Sequence, residues 1–200
     1  MKTTIRFFLI CIFAITAFAV SEAKGQKTVL VVYHSESGNT EQLARAVADG
    51  AGSVDGIRVK LVEAAEASED DLLQADAIIV GSPVYNANVS PEISRFIASW
   101  PFEGAPLKNK VGAAFVTAGG MSAGEEIVQM NILQSMLIFG MIIVGGPEWT
   151  QPFGASAITH EEPFRAENPA EIDDRFIERG KKLGERVAEV VLRLQVSEHK

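Results

Sequence analysis

The chain has 200 residues, which suits one domain, and its hydrophobic fraction of 47% is enough to fill one core. The formal net charge of −8 and the isoelectric point near 5.0 argue against nucleic acid or an anionic membrane surface as a partner. There is one cysteine, and the three histidines are scattered, so the sequence indicates neither a disulfide framework nor a metal site.

The N-terminus has the layout of a secretory signal peptide. A basic start precedes the apolar run 7–20, and small residues fit cleavage after Ala19 or Ala23. The run is shorter than the roughly 20 residues that span a bilayer, so cleavage is favoured over a retained anchor. We therefore expect residues 1–23 to be removed and residues 24–200 to form the mature domain, in the bacterial periplasm. A leader that does not function would leave the protein in the cytoplasm.

Strand-like and helix-like segments alternate after this leader. Continuous apolar runs predict strands over 28–34, 57–63, 76–81, 110–117 and 141–145. Helical patterns occupy 39–51, 69–74, 90–100, 124–139 and 170–195. This alternation predicts the α/β class, with a doubly wound five-stranded parallel sheet in the order 2-1-3-4-5 and helices on both faces.

The turn after the first predicted strand is rich in hydroxyl groups and lies at a helix N-terminus. It contains Ser35, Ser37, Gly38, Asn39 and Thr40. Unpaired N–H groups and the positive end of the helix dipole meet there, which predicts a phosphate site without a cationic side chain. The turn lacks the P-loop and G-x-G-x-x-G patterns. An ordinary helix cap is the alternative, because Ser, Asn and Thr favour that position.

Two further loops follow the third and fourth predicted strands. Loop 81–90 is polar and carries one aromatic residue, Tyr85, while loop 117–124 is rich in small residues that let backbone approach a flat ligand. Doubly wound sheets bind ligands at the carboxyl ends of their strands, near the switch in strand order. The three loops together therefore suit a planar ring on a phosphorylated tail.

With these loops in place, the chain resembles the flavodoxin superfamily. It is most similar to the FMN-dependent NAD(P)H:quinone oxidoreductases of the tryptophan-repressor-binding-protein type. The similarity runs from about Lys27 to Leu194. It rests on six segments, 35–40, 44–48, 81–83, 115–120, 139–144 and 152–156. It implies a flavodoxin-like fold and FMN as the cofactor.

The resemblance also implies contacts with FMN, residue by residue. The phosphate would meet Ser35, the backbone of Glu36, Ser37, Gly38, Asn39 and Thr40. The ring would meet Val84, Tyr85 and Asn86. The ribityl chain and ring edge would be lined by Thr117, Ala118, Gly119, Gly120, Met121 and Ser122. Phe102 stands where the family has a substrate-stacking tryptophan, and no catalytic side chain is implied.

The implied activity is the transfer of two electrons from NAD(P)H through FMN to a quinone. Tyr85-Asn86 replaces an Arg-Phe pair that is common in the family. The substrate pocket therefore differs from the family pattern more than the flavin site does. An exported flavodoxin-type electron carrier is the alternative, with a redox protein as donor, because NAD(P)H is scarce outside the cytoplasm.

Three other features carry expectations of their own. His34 is interpreted as a strand-end residue rather than a phosphate ligand, and Trp100 as a core residue. The helix 124–139 is apolar on several faces, so it is either deeply buried or part of a homo-oligomer interface, and we favour the interface.

Overall fold

The computed structural model describes residues 25–168 and 171–197. The signal-peptide prediction for residues 1–23 lies outside the described residues. Within the described part, none of the helices combines the length and the apolar character that crossing a membrane requires.

Four long parallel strands form the centre of one sheet. They are β1 (Lys27–Tyr33), β2 (Ile57–Glu63), β3 (Ala77–Tyr85) and β5 (Val111–Ala118), and the shorter strands are β4 (Asn88–Val89), β6 (Ile142–Ile143) and β7 (Ala155–Ile158). The sheet order is β2-β1-β3-β5-β6, with β4 paired to β3 and β7 paired to β5. Counted over the five predicted strands, this is the order 2-1-3-4-5, so the fold prediction is confirmed.

Five helices cover the sheet where helices were predicted. They are α1 (Asn39–Gly52), α2 (Glu69–Gln74), α3 (Pro91–Ala98), α4 (Glu125–Ile138) and α5 (Asp174–Ser197). The hydroxyl of Ser68 caps α2 and that of Ser90 caps α3, by accepting a backbone N–H of the first turn. Neither α1 nor α4 has a side-chain cap.

The fifth predicted strand is interrupted. It consists of β6 and β7, which pair with opposite ends of β5 and are separated by the loop 144–154. The chain leaves the sheet at Gly145, where a Cβ atom would lie 2.1 Å from the carbonyl oxygen of Pro152. Only glycine permits that approach, so the single strand predicted over 141–145 is wrong beyond Ile143.

The predicted loop 81–90 is a hairpin. β3 continues to Tyr85, turns at two residues with positive φ, Asn86 at 51° and Ala87 at 59°, and returns as β4. This is the geometry of a two-residue hairpin turn. The strand prediction ended at residue 81 because Pro83 and the polar residues around it resemble a loop.

Two apolar clusters lie on opposite faces of the sheet. Val31, Ile79 and Phe115 face α1 and α5, while their neighbours Leu30 and Ile78 face α3 and α4. Strand residues alternate between these faces, as a sheet covered on both sides requires.

Trp100 belongs to the core, as predicted. Its side chain is 5% exposed and meets the rings of Phe96 and Phe139 edge-on, at centroid distances of 5.6 and 5.3 Å.

Candidate functional site

Three loops meet at the carboxyl edge of the sheet: the hydroxyl turn (residues 35–40), the hairpin turn (residues 85–88) and the glycine loop (residues 119–124). The hydroxyl oxygens of Thr40 and Thr117 lie 2.7 Å apart and join α1 to the end of β5. Both residues are buried. Thr40 was predicted to contact the FMN phosphate and Thr117 to line its ribityl chain and ring edge. The structure brings these two residues together.

The hydroxyl turn leaves the N-terminus of α1 open. Gly38 occupies the cap position with φ of 85°, and there is no side-chain cap hydrogen bond. The hydroxyl oxygen of Ser35 and the amide oxygen of Asn39 are buried without hydrogen-bond partners among the described residues. A helix cap would use such groups internally, so the cap interpretation is wrong. Open N–H groups and the unused hydroxyl of Ser35 are donors for an anion, whereas the amide oxygen of Asn39 can only accept.

Tyr85 of the hairpin turn lies close to Glu36 of the hydroxyl turn. Burial raises the pKa of Tyr85, and the neighbouring Glu36 carboxylate raises it further. The phenol therefore stays protonated at neutral pH. Stacking of Tyr85 on a flavin stays a prediction.

The hairpin turn also packs against the glycine loop. A Cβ atom on Gly124 would lie 2.4 Å from the Cβ of Ala87, so the two loops touch where α4 begins. Gly124 has φ of 104°, which independently favours glycine.

Two carboxylates hold the backbone of the glycine loop. The N–H of Met121 donates to Oε2 of Glu161 at 2.6 Å, and the N–H of Ser122 donates to Oε1 of Glu125 at 3.1 Å. These contacts place two negative charges beside a loop that was predicted to line a cofactor ring. Glu161 is a site residue that sequence reasoning missed, since 40 residues separate it from Met121.

The segment 159–161 pairs with the glycine loop along its length. The N–H of Thr159 donates to the carbonyl of Ala118 at 2.9 Å, and that of His160 donates to Gly119 at 3.0 Å. A Cβ atom on Gly120 would lie 2.6 Å from Oε2 of Glu161, so a side chain there would displace the carboxylate from its present position. Only the topology could have indicated from sequence that the segment 159–161 lies at the site. This segment follows β7 at the carboxyl edge of the sheet, where such folds bind their ligands.

His34 lies between two carboxylates. Its Nδ1 is 3.7 Å from Oε1 of Glu63, and its Nε2 is 3.3 Å from Oε2 of Glu92. A hydrogen bond from its own backbone N–H lowers the pKa of Glu92, and the charges of His34 and Arg95 lower it further. The imidazole thus bridges the ends of β2 and α3, which agrees with the strand-end interpretation.

Phe102 lies at the opposite edge of the sheet from the three loops. It precedes β5 and packs against Phe139, which precedes β6, at a centroid distance of 5.6 Å. Both residues therefore lie towards the amino ends of these strands. The structure does not bring Phe102 to the three loops, and its stacking on a substrate stays a prediction.

The helix α4 buries one face only. Val128, Ile132 and Met136 are fully buried, whereas Ile127 is 63% exposed and Ile138 is 73% exposed. Deep burial of the whole helix is therefore wrong. The outer face retains apolar surface, and a homo-oligomer interface there stays a prediction.

Comparison with known proteins connects this site to flavin chemistry. The family described as NADPH-dependent FMN reductase matches residues 62–156. A flavodoxin from Aquifex aeolicus is 35% identical over 170 residues, which are 80% of this chain and 86% of that protein. An NAD(P)H dehydrogenase (quinone) from Azorhizobium caulinodans is 35% identical over 180 residues, which are 72% of this chain and 88% of that protein.

Solved structures show the same fold. A WrbA-like flavodoxin from Agrobacterium tumefaciens has a TM-score of 0.68 and 25% identity, and the match covers 84% of this chain and 99% of that chain. An archaeal flavodoxin has a TM-score of 0.62, also with 25% identity, and the match covers 82% of this chain and 99% of that chain.

Proposed function

Since this chain belongs to the flavodoxin superfamily and is an FMN-dependent oxidoreductase, we propose that it reduces quinones by two electrons taken from NAD(P)H. The similarity to an NAD(P)H dehydrogenase (quinone) over 72% of the chain supports this reaction. Tyr85 and Asn86 stand where the family commonly has Arg-Phe, so the substrate pocket is where this chain differs from the family.

The uncapped N-terminus of α1 is the observation that carries the proposal. The phosphate of FMN needs hydrogen-bond donors, and the open first turn supplies them together with the helix dipole. The buried hydroxyl of Ser35 has no partner within the described residues and can donate. Buried polar groups are rarely left unsatisfied, so a phosphate there fits this hydroxyl and the open N–H groups.

Bound FMN supplies the chemistry, by accepting a hydride and passing two electrons on. The side chains of this chain position the cofactor and set its electrostatic surroundings. The Thr40–Thr117 bond fixes the distance between the phosphate turn and the ring loop. No side chain has to act as an acid or base in this reaction, which agrees with the absence of a predicted catalytic residue.

A flavodoxin-type electron carrier is the second candidate. The flavodoxin from Aquifex aeolicus covers more of this chain than the dehydrogenase does, 80% against 72%. The net charge of −8, with Glu36 and Glu161 at the loops, would attract a basic redox partner. Such a carrier would have no small-molecule substrate of its own.

Anaerobic mixing tests the proposal. The FMN-loaded full chain is mixed with NADH or NADPH, the bleaching of the oxidised flavin absorbance is followed, and a benzoquinone is then added. We expect bleaching within seconds and full recovery of the absorbance with one quinone consumed per flavin. Free FMN at the same concentration is the control. Flavin that remains oxidised for minutes would overturn the reductase proposal and leave the carrier.

Stepwise reduction distinguishes the two candidates further. Titration with dithionite in two separate one-electron steps favours the carrier, since such proteins pass single electrons between partners. Direct reduction in one two-electron step favours the quinone reductase.

A further inference from the structure

A cavity lies at one edge of the sheet, between the edge strand β2, its neighbour β1 and the helix α2. Its volume is about 320 Å³, at the lower end of the range for small-molecule sites. The six-residue helix α2 is only about 9 Å long, whereas the seven-residue strand β2 extends for about 23 Å. The helix therefore leaves part of the sheet uncovered. Six residues line the cavity, namely Thr28, Leu30, Arg58, Lys60, Asp71 and Gln74.

Two cationic side chains of β2 occupy positions that face the core on β1. Arg58 is paired with Thr28, and Lys60 is paired with Leu30. Paired residues of neighbouring strands point to the same face of a sheet. Leu30 is fully buried in the apolar cluster on that face, so the pattern of the sheet favours apolar residues at 58 and 60. Arginine and lysine stand there instead, at the wall of the cavity.

Two carboxylates beside the cavity are already engaged. Asp71 of α2 forms an ion pair with Lys60, and the hydrogen bond from Lys60 lowers the pKa of Asp71. Asp76 accepts one hydrogen bond from Nζ of Lys27 and another from the backbone N–H of Thr28, both at 2.8 Å. These two carboxylates therefore have cationic partners other than the guanidinium of β2.

Arg58 forms no ion pair in the part of the chain that the structure describes. One N–H of its guanidinium donates to the hydroxyl oxygen of Thr28 at 2.9 Å. Thr28 is 8% exposed, and its hydroxyl accepts this bond, so the hydroxyl proton remains available to an acceptor. A guanidinium with further N–H donors and a buried hydroxyl thus lie side by side at the cavity wall.

These groups define the chemistry of a ligand. Arg58 and Lys60 carry positive charges and Asp71 carries a negative one, so the cavity has one positive charge in excess, which favours a monoanion. The two oxygens of a carboxylate match the donors of a guanidinium, and the adjacent hydroxyl of Thr28 adds a third donor. Leu30 supplies an apolar wall for the rest of the molecule.

We propose that this cavity binds a small monocarboxylate with an apolar body, held by Arg58 and Thr28. Thr28 lies near the amino end of β1, and the hydroxyl turn begins seven residues later, which is roughly 20 Å along an extended chain. The ligand therefore does not contact a flavin at the three loops, and the site is separate from the proposed quinone reaction.

Benzoate is the probe, and benzamide is the matched control, because it has the same shape without the negative charge. Each is titrated into the FMN-loaded full chain at about 0.15 M salt, where distant charges are screened, and the backbone amide signals are followed by nuclear magnetic resonance. We expect benzoate to shift the signals of Thr28, Leu30 and Arg58, and to bind about tenfold more tightly than benzamide. Neither result depends on whether NAD(P)H reduces the flavin.

Two outcomes of this titration would overturn the proposal. If benzoate shifts none of these signals, the cavity binds no carboxylate, and the inward-pointing cations only protect the edge strand β2 from pairing with another strand. If phenyl phosphate, a dianion, binds at the same signals more tightly than benzoate, the site is one for phosphate and not for a monocarboxylate.

The variant Arg58→Gln tests the cationic partner. It removes the charge and keeps an N–H donor for Thr28, so we expect benzoate affinity to fall about tenfold while benzamide affinity stays the same. Arg45→Gln is the matched control, since it makes the same change of charge on the exposed face of α1, where Arg45 pairs with Glu41. Unchanged benzoate affinity in Arg58→Gln, or an equal loss in both variants, would overturn the proposal.

The variant Thr28→Val covers the case in which Arg58→Gln does not fold. Valine keeps the branched shape that suits a strand and removes only the hydroxyl, so we expect benzoate to bind several-fold more weakly. Benzoate affinity that is the same in Thr28→Val as in the unmodified chain would overturn the assignment of Thr28 as a partner of the carboxylate.

Discussion

The hydroxyl oxygens of Thr40 and Thr117 lie 2.7 Å apart, and the two residues are 2% and 5% exposed. This bond joins the first turn of α1 to the end of β5, 77 residues later. The bond therefore fixes the position of the hydroxyl turn relative to the glycine loop before any cofactor binds. Such preorganisation lowers the entropy lost when a cofactor binds.

Thr117→Val should break this connection. It removes one hydroxyl at similar volume and leaves the buried hydroxyl of Thr40 unsatisfied, which should cost about 1–3 kcal/mol of unfolding free energy. FMN and riboflavin should both bind more weakly, because the loops lose their register. Urea unfolding and flavin titration by fluorescence measure the two effects. Thr117→Ser, which keeps the hydroxyl, is the control. Unchanged affinity for both flavins in Thr117→Val would contradict this role.

Ser35→Ala should separate phosphate binding from folding. Its hydroxyl has no hydrogen-bond partner in the part of the chain that the structure describes, so the flavin-free protein should not lose stability. The phosphate should lose one hydrogen bond to a charged group, worth about 1.5–3 kcal/mol, or roughly 10-fold to 100-fold in FMN affinity. Riboflavin has no phosphate and should bind as before. Ser94→Ala, on the exposed face of α3, is the control. Equal losses for both flavins would contradict a phosphate contact.

The sequence could predict the sheet order and the hydroxyl turn, because apolar runs and a hydroxyl-rich turn are local patterns. It could also place Trp100 in the core from its spacing with other apolar residues. The hairpin that contains Pro83 and Ala87 was not predicted. Proline is disfavoured within a strand, and alanine is disfavoured at positive φ. The Glu161–Met121 contact depends on how distant segments fold back onto each other, which no local pattern encodes.

Glu161→Gln should raise the reduction potential of bound FMN. The reduced cofactor carries more negative charge than the oxidised one, and the carboxylate beside the glycine loop opposes that charge. Glutamine keeps an acceptor for the N–H of Met121 but removes the charge, so the loop should stay in place. A charge interaction of about 1.4 kcal/mol would correspond to a rise of about 30 mV for a two-electron couple.

Spectroelectrochemical titration measures this potential. Glu162→Gln is the matched control, because it neutralises the neighbouring exposed residue, for which the structure shows no bond to the glycine loop. The same shift in both variants would mean that net charge alone sets the potential. No shift in Glu161→Gln would place the carboxylate too far from the flavin.

Asp173 should make stability depend on acid pH. Hydrogen bonds from the side chain and the backbone N–H of Arg175 lower the pKa of Asp173 from 3.8 to about 2. Because the folded value lies below the unfolded one, this contribution is fully present above about pH 4 and is lost as the pH falls towards 2. Asp173→Asn should therefore cost roughly 0.2–1 kcal/mol at pH 7, the range for an exposed ion pair, and less at pH 3. Urea unfolding at both pH values tests this, with Asp55→Asn, an exposed turn residue, as control. A cost that does not depend on pH would contradict it.

Export from the cytoplasm remains a proposal, and the N-terminus of the expressed protein tests it. Cleavage after Ala19 or Ala23 would leave Val20 or Lys24 as the first residue, and both sites leave β1 intact from Lys27. We therefore expect a processed, folded protein in the periplasmic fraction. Cleavage would also remove the only cysteine, so the mobility and stability of the mature chain should not respond to a reductant.

Terminal sequencing of the protein from each cell fraction, combined with flavin analysis, distinguishes a processed periplasmic form from an unprocessed cytoplasmic one. The two forms would have different electron donors. A processed periplasmic form that holds FMN would direct the search to quinols or redox proteins, because NAD(P)H is scarce in that compartment. Replacement of the apolar run 7–20 by a polar segment is the control, since it should keep the protein in the cytoplasm without touching the described fold. Unprocessed protein that begins at Met1 in the cytoplasm would contradict export, and NAD(P)H would then be the donor available to the site.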